Sequence, residues 1–335
     1  MKRILHYGAK TYPPSHGGVE KIVFDLIGHC DEFESFVIAD SVETPSIYVI
    51  KRDSGFIKSV LQLIALCRDQ KIDAIHFHKE TSIPIALIMR LMGHKTILTL
   101  HGFGWKVPRW SKFSRLALWS LDLAAYFFLH KIVFCSESDY KSVKKYIGLN
   151  KLVCIENGVD VSLNPDPLCG RRGGVYLGRV SPEKNIFSLR DLNKSVEFKV
   201  FGPVDKRDSE FVRNFNSALT TGSIEYGGVV MSEDVPSVLR KFCFLVNLSF
   251  SEGLPVAVLE AASQGLFLVL SDIAAHRALG FPDCIYIDPH RADLAKLDFS
   301  TLKPSERNQA WVKERFSLQS MAGKYAKLYR EVLNG

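Results

Sequence analysis

The sequence predicts an α/β protein of two parallel-sheet domains, and three observations carry that prediction. Short apolar runs rich in β-branched residues alternate with amphipathic helical patterns along almost the whole chain; this is the signature of parallel strands covered on both faces. The alternation stops at residues 163–174, LNPDPLCGRRGG, where prolines and glycines replace any periodicity, and then restarts. A length of 335 residues lets each half bury a core of its own.

In the first half the strand candidates are residues 3–7, 35–39, 47–50, 72–77, 96–100, 132–135 and 152–155. Helical patterns lie between most of them, at 18–29, 56–69, 82–92, 113–128 and 138–147. Asn157-Gly158 reads as a tight turn. In the second half the strands are expected at 174–177, 196–201, 224–226, 244–248, 267–270 and 284–287. Helices are expected near 186–192, 208–219, 235–240, 255–264 and 305–315. The last pattern, 318–333, is an amphipathic helix with Met321, Tyr325, Leu328 and Leu333 on one side. The expected divisions are 1–165, 170–316 and a terminal helix, 317–335. Two Rossmann-like domains of this kind bind ligands at the carboxyl ends of their strands, facing an interdomain cleft.

Composition excludes several classes. With 47% hydrophobic and 24% charged residues the chain is globular, not disordered. The start, MKRILHYGAK, has an apolar run too short for a signal peptide and reads as a first strand. The longest apolar stretch, 116–129, is interrupted by Ser120 and Asp122 and is too short to span a bilayer. Seven cysteines without a CxxC pair fit a reducing cytoplasm. A net charge of +7 suits an anionic substrate or surface. No zinc-finger spacing, RRM-type signature or dense basic arm points to nucleic acid.

One stretch stands out, NLSFSEGLPVAVLEAASQG at 247–265. It reads as a buried strand end, a short loop and a helix with Pro255 at its first position and Gly265 at its end. Glu252 sits at the helix mouth and Glu260 among small apolar residues. Carboxylates in such surroundings are usually paired, so a ligand is one partner to expect. A capping charge and an exposed helix residue are the plainer reading.

Four other places could carry chemistry. PPSHGGVE, with Gly17 and Gly18, lies between the first strand and its helix, where glycines and free N–H groups suit an anion; a plain βα turn would look the same. YLGRVSPEKN puts Arg179 and Lys184 after the first strand of the second half, a pair suited to a diphosphate or simply to solvent. His101 ends a strand ahead of Gly102 and Gly104, while His76 and His78 share a strand face as HxH, a metal pair with no third ligand evident nearby. Finally, Trp105, Lys106, Arg109, Trp110, Lys112, Phe113, Arg115 and Trp119 interleave aromatics with cations. With Lys131, and with only Asp122 opposing, the segment carries four net positive charges, as a helix touching anionic lipid would; core tryptophans under a solvated basic face are the alternative.

In this order the motifs PPSHGGVE, LTLHGF, ENGVD, LGRVSPEKN, VFGP, SEGLPVAVLEA and SQGLFLVLSD make the chain resemble the retaining GT-B glycosyltransferases of family 4, over nearly its whole length. The resemblance implies two Rossmann-like domains, a nucleotide-sugar cleft between them and a last helix crossing back to the first domain. It also implies roles. Gly17 and Gly18 match the glycine loop near the donor diphosphate, and Arg179 and Lys184 match the cations that neutralise it. His101 matches a histidine beside the donor sugar. Glu252, with the N–H groups of Gly253 and Leu254 ahead of Pro255, matches the site for sugar hydroxyls; Glu260 matches the carboxylate on the ribose. Gly178 belongs with the phosphate turn, and Tyr226, Gly227, Gly228 and Val229 match the loop lining the base.

The activity implied is metal-independent transfer of a hexose or N-acetylhexosamine from a UDP- or GDP-linked donor, with no other cofactor and no DxD-like pair to hold a divalent ion. The implied acceptor is a glycan or lipid-linked one, at the cytoplasmic face of the membrane, in building O-antigen, capsule or lipopolysaccharide. Two departures stand against the family pattern: Ala274 to Ala278 replaces a Gly-Gly pair and a following glutamate, and Asn247 replaces a proline. A non-catalytic scaffold on the same fold is the competing expectation. A sugar-nucleotide epimerase is a weaker one, lacking GxGxxG and Tyr-x-x-x-Lys.

Overall fold

A computed structural model describes residues 1–14, 18–43, 46, 48–106, 111–148, 150–161, 168, 170–190 and 192–335. The side chains of residues 106, 193 and 295 are also outside the description. The chain forms two compact units, Met1–Gly158 with Leu318–Gly335, and Val159–Ser317.

The first unit runs β1 (Lys2–Tyr12), α1 (Gly18–Gly28), β2 (Phe33–Val42), β3 (Val49–Lys51), α2 (Phe56–Asp69), β4 (Ala74–Phe77), α3 (Ile83–Leu91), β5 (Lys95–Leu100), α4 (Lys112–Phe128), β6 (Lys131–Phe134), α5 (Glu137–Lys144) and β7 (Leu152–Cys154). Its seven parallel strands are ordered β3-β2-β1-β4-β5-β6-β7. The strands are apolar on both faces because both faces are covered. Leu5, Ile75, Phe77, Leu98 and Phe134 are almost fully buried in one cluster with α2, α3 and α4 residues. Each such side chain contributes about 1.5–3 kcal/mol by leaving water.

The second unit runs β8 (Gly174–Leu177), β9 (Phe198–Phe201), α6 (Ser209–Thr220), β10 (Tyr226–Gly228), α7 (Val235–Leu239), β11 (Phe244–Asn247), α8 (Val256–Ser263), β12 (Phe267–Ser271), α9 (Ala274–Leu279), β13 (Cys284–Ile287) and α10 (Glu306–Arg315). Its parallel sheet has the order β10-β9-β8-β11-β12-β13. The period of two is visible in the cores: Leu245, Leu268 and Leu270 face α8 and α10, whereas Phe244, Val246 and Val269 face the opposite cluster around Phe211 and Phe215. In both sheets the strand order reverses, at β1/β4 and at β8/β11, so polar loops after these strands are where a ligand crevice can form.

The final helix, α11 (Leu318–Asn334), belongs to the first unit. Leu318, Met321, Tyr325, Leu328, Tyr329 and Val332 are its buried stripe, so Val332 takes the place expected of Leu333. The Tyr329 hydroxyl lies 2.7 Å from His76 Nδ1, and Lys95 Nζ donates to the Leu333 carbonyl at 2.8 Å, closing the helix end.

Three expected elements differ. Asn157-Gly158 is no tight turn: the Gly158 N–H meets Met321 Sδ, and Val159 pairs with Ser317 as a parallel bridge. Residues 186–192 form short 3₁₀ turns, Ile186–Leu189 and Leu192–Lys194, not an α-helix. Their buried residues, Ile186, Leu189 and Leu192, are spaced by three, the period of a 3₁₀-helix. Pro255 stands at the N-cap of α8 and Val256 is its first residue. Among the described residues, no helix is long and apolar enough to cross a membrane, and six cysteines are free thiols.

Candidate active site

In the second unit the site grows from the β8/β11 switch point. The turn after β8 is built on close backbone approach: a Cβ on Gly202 would sit 1.9 Å from the Gly178 carbonyl oxygen, and both glycines have positive φ. The Val180 N–H then donates to Pro203 O (2.9 Å), and Tyr176 donates to the Arg179 carbonyl (2.8 Å). Pro182–Lys184 is a 3₁₀ turn ended by Asn185 at φ 53°, in the left-handed region. This geometry fixes the backbone under Lys184 and leaves the Arg179 side chain exposed.

β11 ends in buried polar groups that are already paired with one another. Asn247 Oδ1 accepts from the Ser249 N–H at 3.2 Å and lies 2.6 Å from Ser249 Oγ. Ser249 Oγ is also 2.7 Å from Glu252 Oε1, and the Phe250 N–H donates to the Glu183 carbonyl, tying the two loops together. Asn247, which stands where the family pattern has proline, is therefore a working part of this loop. Lys184 Nζ donates to Glu252 Oε1 at 2.6 Å. Burial would push Glu252 up, but the Lys184 charge and hydrogen bond, then His276 and the Ser249 hydroxyl, hold it below the usual carboxylate range. The carboxylate is therefore ionised at neutral pH. Beside it α8 begins with no side-chain cap, so its first N–H groups stay open to an acceptor.

Most of the other residues expected to meet the donor fall on the same unit. Gly253 and Leu254 form the bend before α8, and Glu260 lies half-buried on its second half. Tyr226 turns its ring inward against Phe215, and its hydroxyl donates to the Gly202 carbonyl at 2.8 Å. That leaves the backbone of Gly227 and Gly228 and the exposed Val229 as the accessible part of the loop. Sequence reasoning missed His276, noticing only that residues 274–278 break a pattern; it is fully buried on α9, with Nδ1 2.9 Å from Ser271 Oγ, which in turn donates to the Ser249 carbonyl.

In the first unit His101 follows β5, its Nδ1 3.4 Å from Cys135 Sγ, and burial lowers its pKa to about 4. The HxH pair gains the third histidine that the sequence did not show. His6 is the registered partner of His76 across β1/β4, and nitrogens of His6, His76 and His78 lie within 4.8 Å of one another. His6 Nδ1 is 3.1 Å from His78 Nε2, while His76 bonds Tyr329 and Thr99, each at 2.7 Å. Burial is the main cause keeping these rings neutral, His6 at about 3. Both ring nitrogens of His76 are already taken up, by Tyr329 and Thr99, and the nearby Lys79 charge works with burial against a positive charge at His78. The cluster therefore reads as a neutral hydrogen-bonded network joining β1, β4 and β5 to α11.

The aromatic–basic segment is also revised. Trp105 packs on Phe103 and the core, and Arg115 Nε donates to its carbonyl at 2.6 Å. Asp122 does not oppose the cations: it is buried against Glu80, and burial, then the Glu80 charge and hydrogen bond, push it up to about 8. Lys112, Phe113, Arg115, Leu116 and Trp119 are among the exposed residues of α4. Gly17, Arg109 and Trp110 lie outside the described residues, as does the Lys106 side chain, and Gly18 opens α1.

Comparisons with known proteins bear on the fold and the family. Residues 16–163 match the family model described as Glycosyltransferase Family 4, and residues 174–295 match Glycosyl transferases group 1. The chain is 25% identical, over 72% of its length and 69% of the relative's, to the UDP-Gal:alpha-D-GlcNAc-diphosphoundecaprenol alpha-1,3-galactosyltransferase of Escherichia coli. It is 22% identical, over 81% of its length and 79% of the relative's, to the GDP-mannose:cellobiosyl-diphosphopolyprenol alpha-mannosyltransferase of Xanthomonas campestris. Among solved structures, the sucrose-phosphate synthase of Thermosynechococcus elongatus superposes at TM-score 0.82, with 14% identity and full coverage of both chains. Anabaena Alr3699/HepE in complex with UDP-glucose superposes at 0.77, with 14% identity, covering 99% of this chain and 100% of that one. With its two parallel-sheet units and both family models matched in order, the chain belongs to the family 4 glycosyltransferases of GT-B fold.

Proposed function

We propose that the protein is a retaining, metal-independent hexosyltransferase that uses a UDP- or GDP-linked sugar and a polyprenol-diphosphate-linked acceptor in surface polysaccharide synthesis. The observation that carries this reading is the buried Lys184–Glu252 pair beside the uncapped start of α8. The named substrates of the Escherichia coli and Xanthomonas relatives support both the donor and the acceptor class.

In this reading the bond between the sugar's anomeric carbon and the diphosphate oxygen breaks, and its electron pair goes to that oxygen. Arg179, Lys184 and the first N–H groups of α8 stabilise the charge that develops there. The acceptor hydroxyl bonds to the anomeric carbon on the same face and passes its proton to the departing diphosphate. Glu252, ionised and fixed by Ser249 and Lys184, accepts from sugar hydroxyls. Glu260 serves the ribose and the 227–229 backbone the base. The exposed face of α4, with Lys112 and Arg115, rests on the anionic surface of the membrane that carries the acceptor.

The test is a thermal-shift panel of UDP, GDP and their sugar derivatives, followed by turnover on a polyprenol-diphosphate-linked sugar with and without chelator. One donor family should stabilise the protein and support transfer in chelator, with the anomeric configuration kept. Tight donor binding with no turnover across acceptors would instead support the scaffold reading.

A further inference from the structure

The proposed mechanism draws its phosphate-binding cations from the second unit and leaves the carboxyl edge of the first sheet unused. There the four neighbouring strands β3, β2, β1 and β4 lead to charged residues, at the point where the strand order reverses. Arg52 follows β3, Asp40 and Lys10 lie near the ends of β2 and β1, and Lys79 comes two residues after β4. Arg52 Nε is 2.8 Å from Asp40 Oδ1, and Lys79 Nζ is 3.8 Å from Asp40 Oδ2. The register of β1 on β2 shifts between Tyr7 and Ala9, where Gly8 is the extra residue, at φ 116°. The shift brings Lys10 to the level of Asp40, between the pairs Ala9/Ala39 and Thr11/Ser41. Lys10 and Asp40 are therefore ladder neighbours, on strands about 5 Å apart. The His78 N–H donates to the Tyr7 carbonyl at 2.9 Å and fixes the residue before Lys79 against this bulge.

Lys79 is the poorly compensated member of the group. Its side chain is only 24% exposed, yet 3.8 Å is beyond hydrogen-bond reach, and no nearer acceptor meets Nζ among the described residues. Burial holds the ammonium below the ordinary lysine range; Asp40 and Glu20 favour its charge, while Lys10 and Arg52 oppose it. Glu20 is itself buried, and its Oε1 accepts the Lys10 N–H at 3.2 Å. Three cations thus meet two carboxylates, and a positive charge is left over. The group is open to a ligand, since Arg52 and Asp40 side chains are 41% and 38% exposed and Lys10 is exposed. An anion with several oxygens supplies the hydrogen bonds that Lys79 lacks, and lysine beside arginine suits phosphate.

We propose that Lys79, with Arg52 and Lys10, binds the diphosphate that links the acceptor sugar to its lipid. The inference rests on the lipid-linked acceptor reading above and gives that acceptor a binding site on the first unit, which the reading does not contain.

Calorimetry on the full chain tests it, with geranyl diphosphate, UDP and GDP as probes, in wild type, Lys79→Met, Lys79→Arg and Lys184→Met. Geranyl diphosphate carries the diphosphate on a short prenyl chain, without sugar or base. Its binding should weaken about 10-fold or more in Lys79→Met, recover in part in Lys79→Arg and change little in Lys184→Met. The nucleotide that binds wild type should show the reverse, spared by Lys79→Met and weakened by Lys184→Met. Without ligand, Lys79→Met should melt no lower than wild type, because it removes a cation whose burial is poorly offset. A lower melting temperature with geranyl diphosphate binding unchanged would make Lys79 a structural cation and overturn the site. Equal losses of geranyl diphosphate and nucleotide in Lys79→Met would assign the cations to the donor and overturn it too. So would geranyl diphosphate binding that is absent from wild type or lost only in Lys184→Met. If neither nucleotide binds wild type while the geranyl diphosphate pattern holds, the donor reading falls and the site stands.

Discussion

Lys184 Nζ lies 2.6 Å from Glu252 Oε1, joining the turn after β8 to the loop after β11 across the point where the strand order reverses. The side chains are 21% and 9% exposed, so each is the other's principal solvent. Such a pair repays its desolvation only while both partners remain. Removing Lys184 strands a buried carboxylate, whereas removing both charges does not.

Lys184→Met should therefore lower stability by about 3 kcal/mol, and the double variant Lys184→Met/Glu252→Gln should recover much of that loss. Urea unfolding of the two proteins checks it, and equal losses would mean the pair contributes little. Both should lose donor turnover by about 100-fold or more, since the phosphate cation is gone in each. The pH dependence follows from the depressed Glu252. Its contribution is complete above the ordinary glutamate range and fades as pH falls through the lower folded value. Glu252→Gln should accordingly flatten the acid limb of the stability profile.

The two glutamates of the 247–265 stretch should separate in binding. Glu260→Ala is expected to weaken the free nucleoside diphosphate itself by about 10-fold, the loss of one charge-assisted contact. Glu252→Ala should leave the free nucleotide within about 2-fold, yet weaken the nucleotide sugar about 10-fold or more. Calorimetry with UDP or GDP against the matching sugar donor reads both. If Glu252→Ala weakened the free nucleotide as much as the donor, Glu252 would belong to the phosphates and not to the sugar.

What could be read ahead of the structure follows from where each signal lies along the chain. β11, its loop and α8 are contiguous, so the apolar run, Pro255 and Gly265 exposed them directly. Arg179 and Lys184 were legible because a βα turn is local. His6 and His76 are 70 positions apart, and only the β1/β4 register makes them neighbours. Asp122 looked like a surface countercharge because helical spacing does not reveal that Glu80 packs against its face of α4. Residues 186–192 were misassigned for a different reason: a spacing of three over seven residues fits a 3₁₀ turn as well as one helical face. His276 was hidden because its burial beside Ser271 is a property of packing, not of residue type.

The Glu80–Asp122 pair gives a pH effect of opposite sign. Glu80 Oε2 accepts from the Gly104 N–H at 2.9 Å, and a Cβ on Gly104 would collide with that same oxygen. Burial, then the neighbouring Glu80 charge, keeps the proton on Asp122 up to about pH 8. The unfolded chain releases this proton near pH 4, roughly the ordinary aspartate value. The contribution to stability is thus largest below that value and declines as pH rises to about 8. Asp122→Asn keeps an uncharged donor toward Glu80, so it should raise the melting temperature at pH 8 more than at pH 5. A uniform shift at both would mean that the pair holds no extra proton.

The exposed face of α4 can be tested without any substrate. Phe113, Leu116 and Trp119 are 85%, 58% and 46% exposed and follow one another at three-residue steps, with Lys112 and Arg115 on the same broad face. Because Asp122 is uncharged at neutral pH, the cations of the segment are not offset from within the helix. Apolar insertion and charge attraction should then contribute separately. Phe113→Ser/Trp119→Ser should cut binding to anionic vesicles about 10-fold or more at any salt, since each ring gains on the order of 1.5–3 kcal/mol on leaving water. Lys112→Gln/Arg115→Gln should weaken binding mainly at low ionic strength, because screening already suppresses the attraction at high salt. Flotation with phosphatidylglycerol-containing and purely zwitterionic vesicles separates the two contributions. Wild-type binding that ignores both lipid charge and the aromatic substitutions would mean that α4 faces water, and that the acceptor reaches the enzyme by another surface.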